Sequence, residues 1–220
     1  MTQKRKKAKL FNIKLFPMDF ARVGCSPLPL IYRVKRLPPA GEKYRHKIRG
    51  GGLVAANHHD FSDPLVMFIT FWYRRIFFLA SELVMAKPLR RRLMSGMGAI
   101  RIDRNIADME AIRKAVTRMK EGHLLVVFPE GQLSDTEEVT TIKSGAVLMA
   151  LQAGVPIYPM HIYPREKWYK PRTVVIGDPI EPNKLCTRKI PSTADIQNIS
   201  NILMEEMNKC ILNDAKETVT

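Results

Sequence analysis

His58 and Asp63, five positions apart in Asn57-His58-His59-Asp60-Phe61-Ser62-Asp63-Pro64, are residues that can do acid–base chemistry together. A carboxylate that holds one imidazole nitrogen protonated leaves the other nitrogen free as a base near neutral pH. Pro64 suits the first position of a helix, because its missing N–H would have no helical partner there. Asp63 is then expected at the N-cap, with one side-chain oxygen on a helix N–H and the other within reach of His58. Two plainer readings use the same residues. Asp63 can be a cap and nothing more, or His58, His59, Asp60 and Asp63 can be metal ligands. Adjacent histidines rarely point the same way, and no further His or Cys pair stands at ligand spacing, so no metal is expected.

The elements that must position this block are legible around it. Leu53–Ala56 before it is a short buried strand, and a helix is expected over 64–73. Ile31–Lys35 alternates as a strand does, and further strands are expected at Arg75–Ala80, Ala99–Arg101, His123–Phe128, Val155–Ile162 and Thr173–Ile176. Helical periodicity covers 82–96, 106–121, 143–153 and 195–213. Such alternation predicts an α/β fold, a mostly parallel central sheet with helices on both faces. Ligands in these sheets sit at the carboxyl ends of the strands. One rim would therefore carry Asn57–Asp63, Ile102–Asn105, Pro129–Ser134 and the segment after Val155.

Those loops hold further candidates. In Gly98–Arg104, Ile100 and Ile102 alternate inward, so Arg101 and Arg104 are free to form either a strand-end ion pair or a guanidinium fork for phosphate. Phe128-Pro129-Glu130-Gly131 leaves a buried strand and presents Glu130 beside a glycine, an arrangement in which backbone and side chain approach a ligand together. Lys143 precedes the next helix.

Composition bounds the function. The chain of 220 residues fits one large domain, and its net charge of +15 calls for a polyanionic partner. Residues 1–24 combine Lys4-Arg5-Lys6-Lys7 with Leu10, Phe11, Ile13, Leu15, Phe16 and Phe20, a basic amphipathic segment suited to an anionic membrane interface or to packing on the domain of residues 25–220. No apolar run is long enough to span a bilayer, and no secretory leader is visible. The three cysteines fit neither a zinc pattern nor a disulfide framework, which points to a reducing compartment. A cytoplasmic protein held peripherally on a membrane is the expectation. A basic nucleic-acid module lacks a helix-turn-helix, finger or aromatic RNA-binding signature, so nucleic acid is not expected as a partner.

Taken in order, the blocks resemble those of the glycerophospholipid acyltransferase family, most closely its lysophosphatidic acid acyltransferase branch. The family's Asn-His-x-x-x-x-Asp is matched by Asn57, His58 and Asp63, and its Gly-x-Ile-x-Ile-x-Arg by Gly98–Arg104. Phe128–Ser134 is similar to Phe-Pro-Glu-Gly-Thr-Arg-Ser, and Val155–Pro159 matches the Val-Pro-Ile-x-Pro run. The resemblance spans about residues 30–180. It implies acyl transfer from a thioester, acyl-CoA or acyl carrier protein, to the hydroxyl of a lysophospholipid, most simply lysophosphatidic acid, without metal or cofactor. His58 would be the catalytic base and Asp63 its orienter. Asn57, Arg101, Arg104, Glu130, Gly131 and Lys143 would bind substrate, and donors near Gly131 or the positive end of the helix starting at Pro64 would stabilise the oxyanion. The other acceptors consistent with the pattern are glycerol 3-phosphate, another lysolipid or an amino-lipid. Two departures bear on the acceptor. Asp60 stands where the family has Ser, and Gln132-Leu133 replaces Thr-Arg, removing an arginine from the acceptor phosphate. Arg101, Arg104 or Lys143 would have to replace it.

Overall fold

The structure is a computed structural model that describes residues 18–19, 33–39, 47–103, 108–131, 133, 136, 138–165, 167, 170–186 and 190–211. Its strands are β1 (Val34–Leu37), β2 (Gly52–Ala56), β3 (Ile76–Ser81), β4 (Ala99–Ile102), β5 (Leu124–Val127), β6 (Ile157–Ile162) and β7 (Arg172–Ile176). Its helices are α1 (Asp63–Thr70), α2 (Pro88–Gly96), α3 (Met109–Lys120), α4 (Gly145–Ala153), α5 (Pro182–Leu185) and α6 (Thr193–Lys209).

The seven strands form one sheet in the order β1-β7-β6-β2-β5-β3-β4. β6, β2, β5, β3 and β4 are mutually parallel. β7 runs antiparallel to β6, with His161 opposite Val175, and β1 follows β7 in parallel. The start of β7 therefore lies at the same edge of the sheet as the ends of β2, β5 and β6.

Side chains alternate across each strand, and here both faces are covered. Leu53, Ala55, Leu125, Val127 and Ile157 pack with Ala111, Ala115 and Met119 of α3, Val147 and Ala150 of α4, and Ile199, Leu203 and Met207 of α6. Val54, Ala56, Phe78, Val126, Met160 and Ile162 pack on the other face with Val66, Met67 and Phe68 of α1. A central strand buried on both faces, as β2 is throughout, gives a rigid platform for the loop that follows it.

Element ends differ from the sequence expectation for identifiable reasons. α2 starts at Pro88 rather than at residue 82 because a residue before proline is driven out of the helical region, and Lys87 is extended (φ −77°, ψ 130°). α3 starts later because the Asp108 side chain caps it, accepting from the Ala111 N–H. α6 begins two residues early on a capping box between Ser192 and Asp195. α5 was not expected. α1 stops at Thr70, and the Arg74 guanidinium then bonds the carbonyls of Ile48 (2.7 Å), Gly50 (2.6 Å) and Gly122 (2.8 Å), tying the α1–β3 turn to the amino ends of β2 and β5.

Most of the basic amphipathic segment lies outside the described residues. Its Met18 is buried in the core, and its Asp19 pairs with buried Arg75 at the start of β3. Among the described residues, no helix is long and apolar enough to cross a membrane.

Two buried histidines make the fold acid-sensitive. Burial pushes His161 down to about 4, with the neighbouring His59 adding to the shift. Burial likewise takes His123 to about 4 against the opposing pull of Glu121. Both stay neutral in the folded chain while the unfolded chain takes up protons below about 6.5. Stability is thus complete above pH 6.5 and is lost as the pH falls toward 4. Urea unfolding should show a loss of about 2 kcal/mol from His161 alone between pH 7.5 and pH 5, with His123 adding in the same direction. His161→Phe should flatten that slope; an unchanged slope would refute the assignment.

Candidate active site

The carboxyl end of β2 leads directly into the Asn57–Ser62 loop, and α1 brings the chain back over it. His58 Nδ1 lies 2.9 Å from Asp63 Oδ2. A carboxylate can only accept, so Nδ1 carries the proton and Nε2 is left as the basic nitrogen. The ring stacks on Phe128 at the end of β5, with centroids 4.2 Å apart and planes at 18°. Two adjacent strands thus fix its orientation, and the side chain keeps 17% exposure while Asp63 has none.

Asp63 is not the N-cap. Ser62 occupies that position without a side-chain cap bond, and Asp63 is the first residue of α1. Its carboxylate turns back over the loop, where Oδ2 also accepts the N–H groups of His59 (2.8 Å) and Asp60 (2.8 Å). Oδ1 accepts from Arg172 Nη2 at 2.7 Å. Burial by itself pushes the Asp63 carboxyl up. The bonds from His58 and from the loop N–H groups, with the Arg172 charge, outweigh burial and hold it below the usual carboxylate range. Asp63 is therefore a fixed anion beneath the His58 ring.

Arg172 was missed in the sequence. Its guanidinium is fully buried and spans the site, with Nε on the Tyr163 carbonyl (2.5 Å) and Nη1 on Ser62 Oγ (3.3 Å), besides the bond to Asp63. Asp60 lies 3.8 Å from the same group. The one available signal was an arginine at the head of an apolar strand, Arg172-Thr173-Val174-Val175-Ile176. Read as another parallel strand, that head belongs at the far edge of the sheet.

The remaining candidates divide into those that join His58 and those that do not. Asn57 is buried, and its amide pairs with both backbone groups of Ile162, accepting at 2.7 Å and donating at 3.1 Å. It locks the loop to β6 and lies 2.7 Å from His59 Nε2. These bonds make it a positioning group for the loop. Glu130 and Gly131 form the turn after β5, directly beyond Phe128. Gly131 needs its left-handed conformation (φ 75°), and a Cβ there would lie 2.5 Å from Lys143 Nζ. Lys143 is therefore seated against this turn, its own N–H on the Pro129 carbonyl. Arg101 is elsewhere. It sits on edge strand β4, three strand spacings or roughly 14 Å from β2, and is half exposed in a 3.2 Å pair with Glu82. Arg104 lies outside the described residues, as do Gln132 and Ser134, while Leu133 is exposed.

Among the described residues, the N–H groups of Gly131 and of the first turn of α1 bond within the fold. The Gly131 N–H donates to the Phe128 carbonyl, and in the first turn of α1 the Asp63 N–H donates to the Asp60 carbonyl and those of Leu65 and Val66 to the Ser62 carbonyl. Pro64 has none to give.

The Acyltransferase family profile matches residues 36–163, more than half of the chain and every element just described from β2 to β6. The protein belongs to the acyltransferase family. Among curated relatives, it is 30% identical to the lyso-ornithine lipid O-acyltransferase of Pseudomonas aeruginosa over 70% of this chain and 56% of that one. It is 29% identical to a 1-acyl-sn-glycerol-3-phosphate acyltransferase of Borreliella burgdorferi over 50% of this chain and 45% of that protein. The chain thus spans about half the length of these relatives. The fold is that of the 1-acyl-sn-glycerophosphate acyltransferase PlsC from Thermotoga maritima, with a TM-score of 0.57, 20% identity, and coverage of 90% of this chain and 84% of that one. Within the matched span lies the His58–Asp63 pair, bonded at 2.9 Å.

Proposed function

We propose that this acyltransferase moves a fatty acyl group from a thioester, acyl-CoA or acyl carrier protein, to the hydroxyl of a lysophospholipid, with 1-acylglycerol 3-phosphate as the leading acceptor. The observation that carries the reading is the polarised His58–Asp63 pair at the sheet's carboxyl rim. His58 Nε2 removes the hydroxyl proton as the oxygen attacks the thioester carbonyl. The tetrahedral intermediate collapses with cleavage of the C–S bond, and the thiolate leaves with the proton returned by His58. Asp63 stays ionised throughout, stabilises the imidazolium and keeps the tautomer, as the carboxylate of a triad does. The substrate hydroxyl supplies the nucleophile, so the scheme needs no protein nucleophile, metal or cofactor. The protein would act at the cytoplasmic surface of an anionic membrane, where its acceptor resides.

Lys143 is the cation that replaces the arginine missing at Leu133. It is the ammonium seated on the turn that carries Phe128, whereas Arg101 is held by Glu82 farther along the rim. Lys143→Ala should lower kcat/KM for lysophosphatidic acid by about 10- to 100-fold, the worth of one charge-assisted bond. Arg101→Ala should be nearly silent, and donor KM should not move. If Lys143 instead serves the oxyanion, a phosphate-free acceptor will lose as much as lysophosphatidic acid does. If Arg101→Ala is the damaging change, the headgroup lies nearer β4 and the assignment is wrong.

A second acceptor reading has its own observation. Leu133 stands where the family places an arginine, and the relative sharing 30% identity over 70% of this chain is named for a lyso-ornithine lipid. Purified protein assayed with both thioester donors against lysophosphatidic acid, glycerol 3-phosphate and lyso-ornithine lipid decides between them. Preference for the ornithine lipid, unaffected by Lys143→Ala, would replace the phosphate reading. No turnover with any pair would overturn the proposed function.

A further inference from the structure

The rim around His58 carries apolar side chains that the domain does not bury. Phe61 follows β2 and is 82% exposed, Leu83 follows β3 and is 84% exposed, and Leu133 follows β5 and is also exposed. In the sheet these three strands are neighbours, in the order β2-β5-β3. Beyond Leu83 comes α2, Pro-Leu-Arg-Arg-Arg-Leu-Met-Ser-Gly, a helix with no buried residue. Leu89 and Leu93, at i and i+4, share a face and are 82% and 63% exposed. Lys87, Arg90, Arg91 and Arg92 are exposed around them. α2 touches the core chiefly through half-buried Met94.

A helix of this kind is hard to account for as part of a soluble surface. Its leucines gain nothing where they stand, and three adjacent arginines repel one another without a carboxylate on the same helix. An interface that is apolar at depth and anionic at its surface satisfies both. A nucleic acid would satisfy only the arginines. We propose that α2, with Leu83 and the rim residues Phe61 and Leu133, is the surface by which the protein docks on an anionic phospholipid bilayer. Leu89 and Leu93 enter the acyl boundary, Arg90 and Arg92 flank that face and pair with lipid phosphates, and Arg91 adds its charge from behind. Docked this way, the bilayer lies along the rim of strand ends where His58 stands, so an amphiphilic acceptor reaches the base without leaving the membrane. That last consequence rests on the proposed function; the docking surface itself does not.

The test is flotation of the full chain with vesicles of phosphatidylcholine, with and without phosphatidylglycerol. Arg90→Gln/Arg91→Gln/Arg92→Gln should weaken binding to the anionic vesicles roughly 100-fold, since each cation at such a surface contributes about a factor of five. Leu89→Asp/Leu93→Asp should reduce it at least as far. Both triple and double variants alter only exposed side chains and should melt as the wild type does. They should also keep turnover of a short-chain, monomeric acceptor. Ile190→Asp changes another exposed apolar residue, one that belongs neither to α2 nor to the loops after β2, β3 and β5, and should bind as wild type. Leucine variants that float normally while the arginine variant does not, or equal losses on vesicles and on duplex DNA, would make the patch a general polyanion surface and overturn the proposal. So would binding abolished by Lys4→Gln/Arg5→Gln/Lys6→Gln/Lys7→Gln and untouched by the α2 changes. Wild-type protein that floats through α2 yet shows no acyl transfer would refute the proposed function and leave the docking surface standing.

Discussion

His58→Ala is expected to lower kcat by about 10²–10⁴-fold, the usual contribution of a general base. The change removes the base and its stacking on Phe128 but leaves Asp63 bonded to Arg172 and to two loop N–H groups. The fold should therefore survive, with a thermal midpoint close to the wild type. His59→Ala is the control. It removes a ring that touches Asn57 and His161, while the His59 backbone N–H keeps its bond to Asp63. It should leave most of the rate. Turnover measured under single-turnover conditions, with the melting curve of each variant, checks both statements. An active His58→Ala beside a dead His59→Ala would reverse the assignment.

Arg172→Met should be the most damaging change outside the pair. It leaves the Asp63 carboxylate buried with no cation. Breaking one partner of a buried ion pair typically costs about 3–5 kcal/mol, because the remaining charge is uncompensated. The Tyr163 carbonyl and Ser62 hydroxyl lose donors as well. The effect on rate has a sign of its own. Without the guanidinium, one of the influences holding the Asp63 carboxyl low is gone, so the acid limb of the pH–rate profile should move to higher pH. A merely structural arginine would lower stability without moving that limb. Arg172→Lys should recover part of the stability and little of the geometry, because an ammonium cannot reach three acceptors from one planar fork. The double variant Asp63→Asn/Arg172→Met should be more stable than Arg172→Met alone and remain inactive, since the two residues are in contact and their effects are not additive. Urea midpoints and pH–rate profiles of the four proteins decide the matter. A wild-type profile in Arg172→Met would show that Asp63 does not need it.

The strand and helix periods in this chain are strong, and the reason is the double burial of the sheet. Leu53–Ala56, His123–Phe128 and Val155–Ile162 are apolar runs because both faces are covered, and a run of that kind bounded by polar loops is visible without coordinates. Element ends were less legible, since Lys87 before Pro88 and the caps at Asp108 and Ser192 depend on backbone angles and single hydrogen bonds. The same limit explains Asp63. Its place one residue inside α1, with its oxygens turned back onto His58, His59 and Asp60, follows from how the loop closes. Spacing alone allowed a cap, a ligand or a catalytic partner.

By itself the sequence determined the alternating fold, the pairing of His58 with Asp63 as a chemical possibility, and the family, because each is written in local spacing. Tertiary structure alone decided which other residues stand with that pair. It carried Arg101 to an edge strand and set Lys143 against the turn beside His58's stacking partner. It also reversed β7, bringing Arg172 to the rim from 109 positions beyond Asp63. Strand direction and order depend on which apolar faces pack best across the whole sheet, and that sum over distant residues leaves no mark at any one of them.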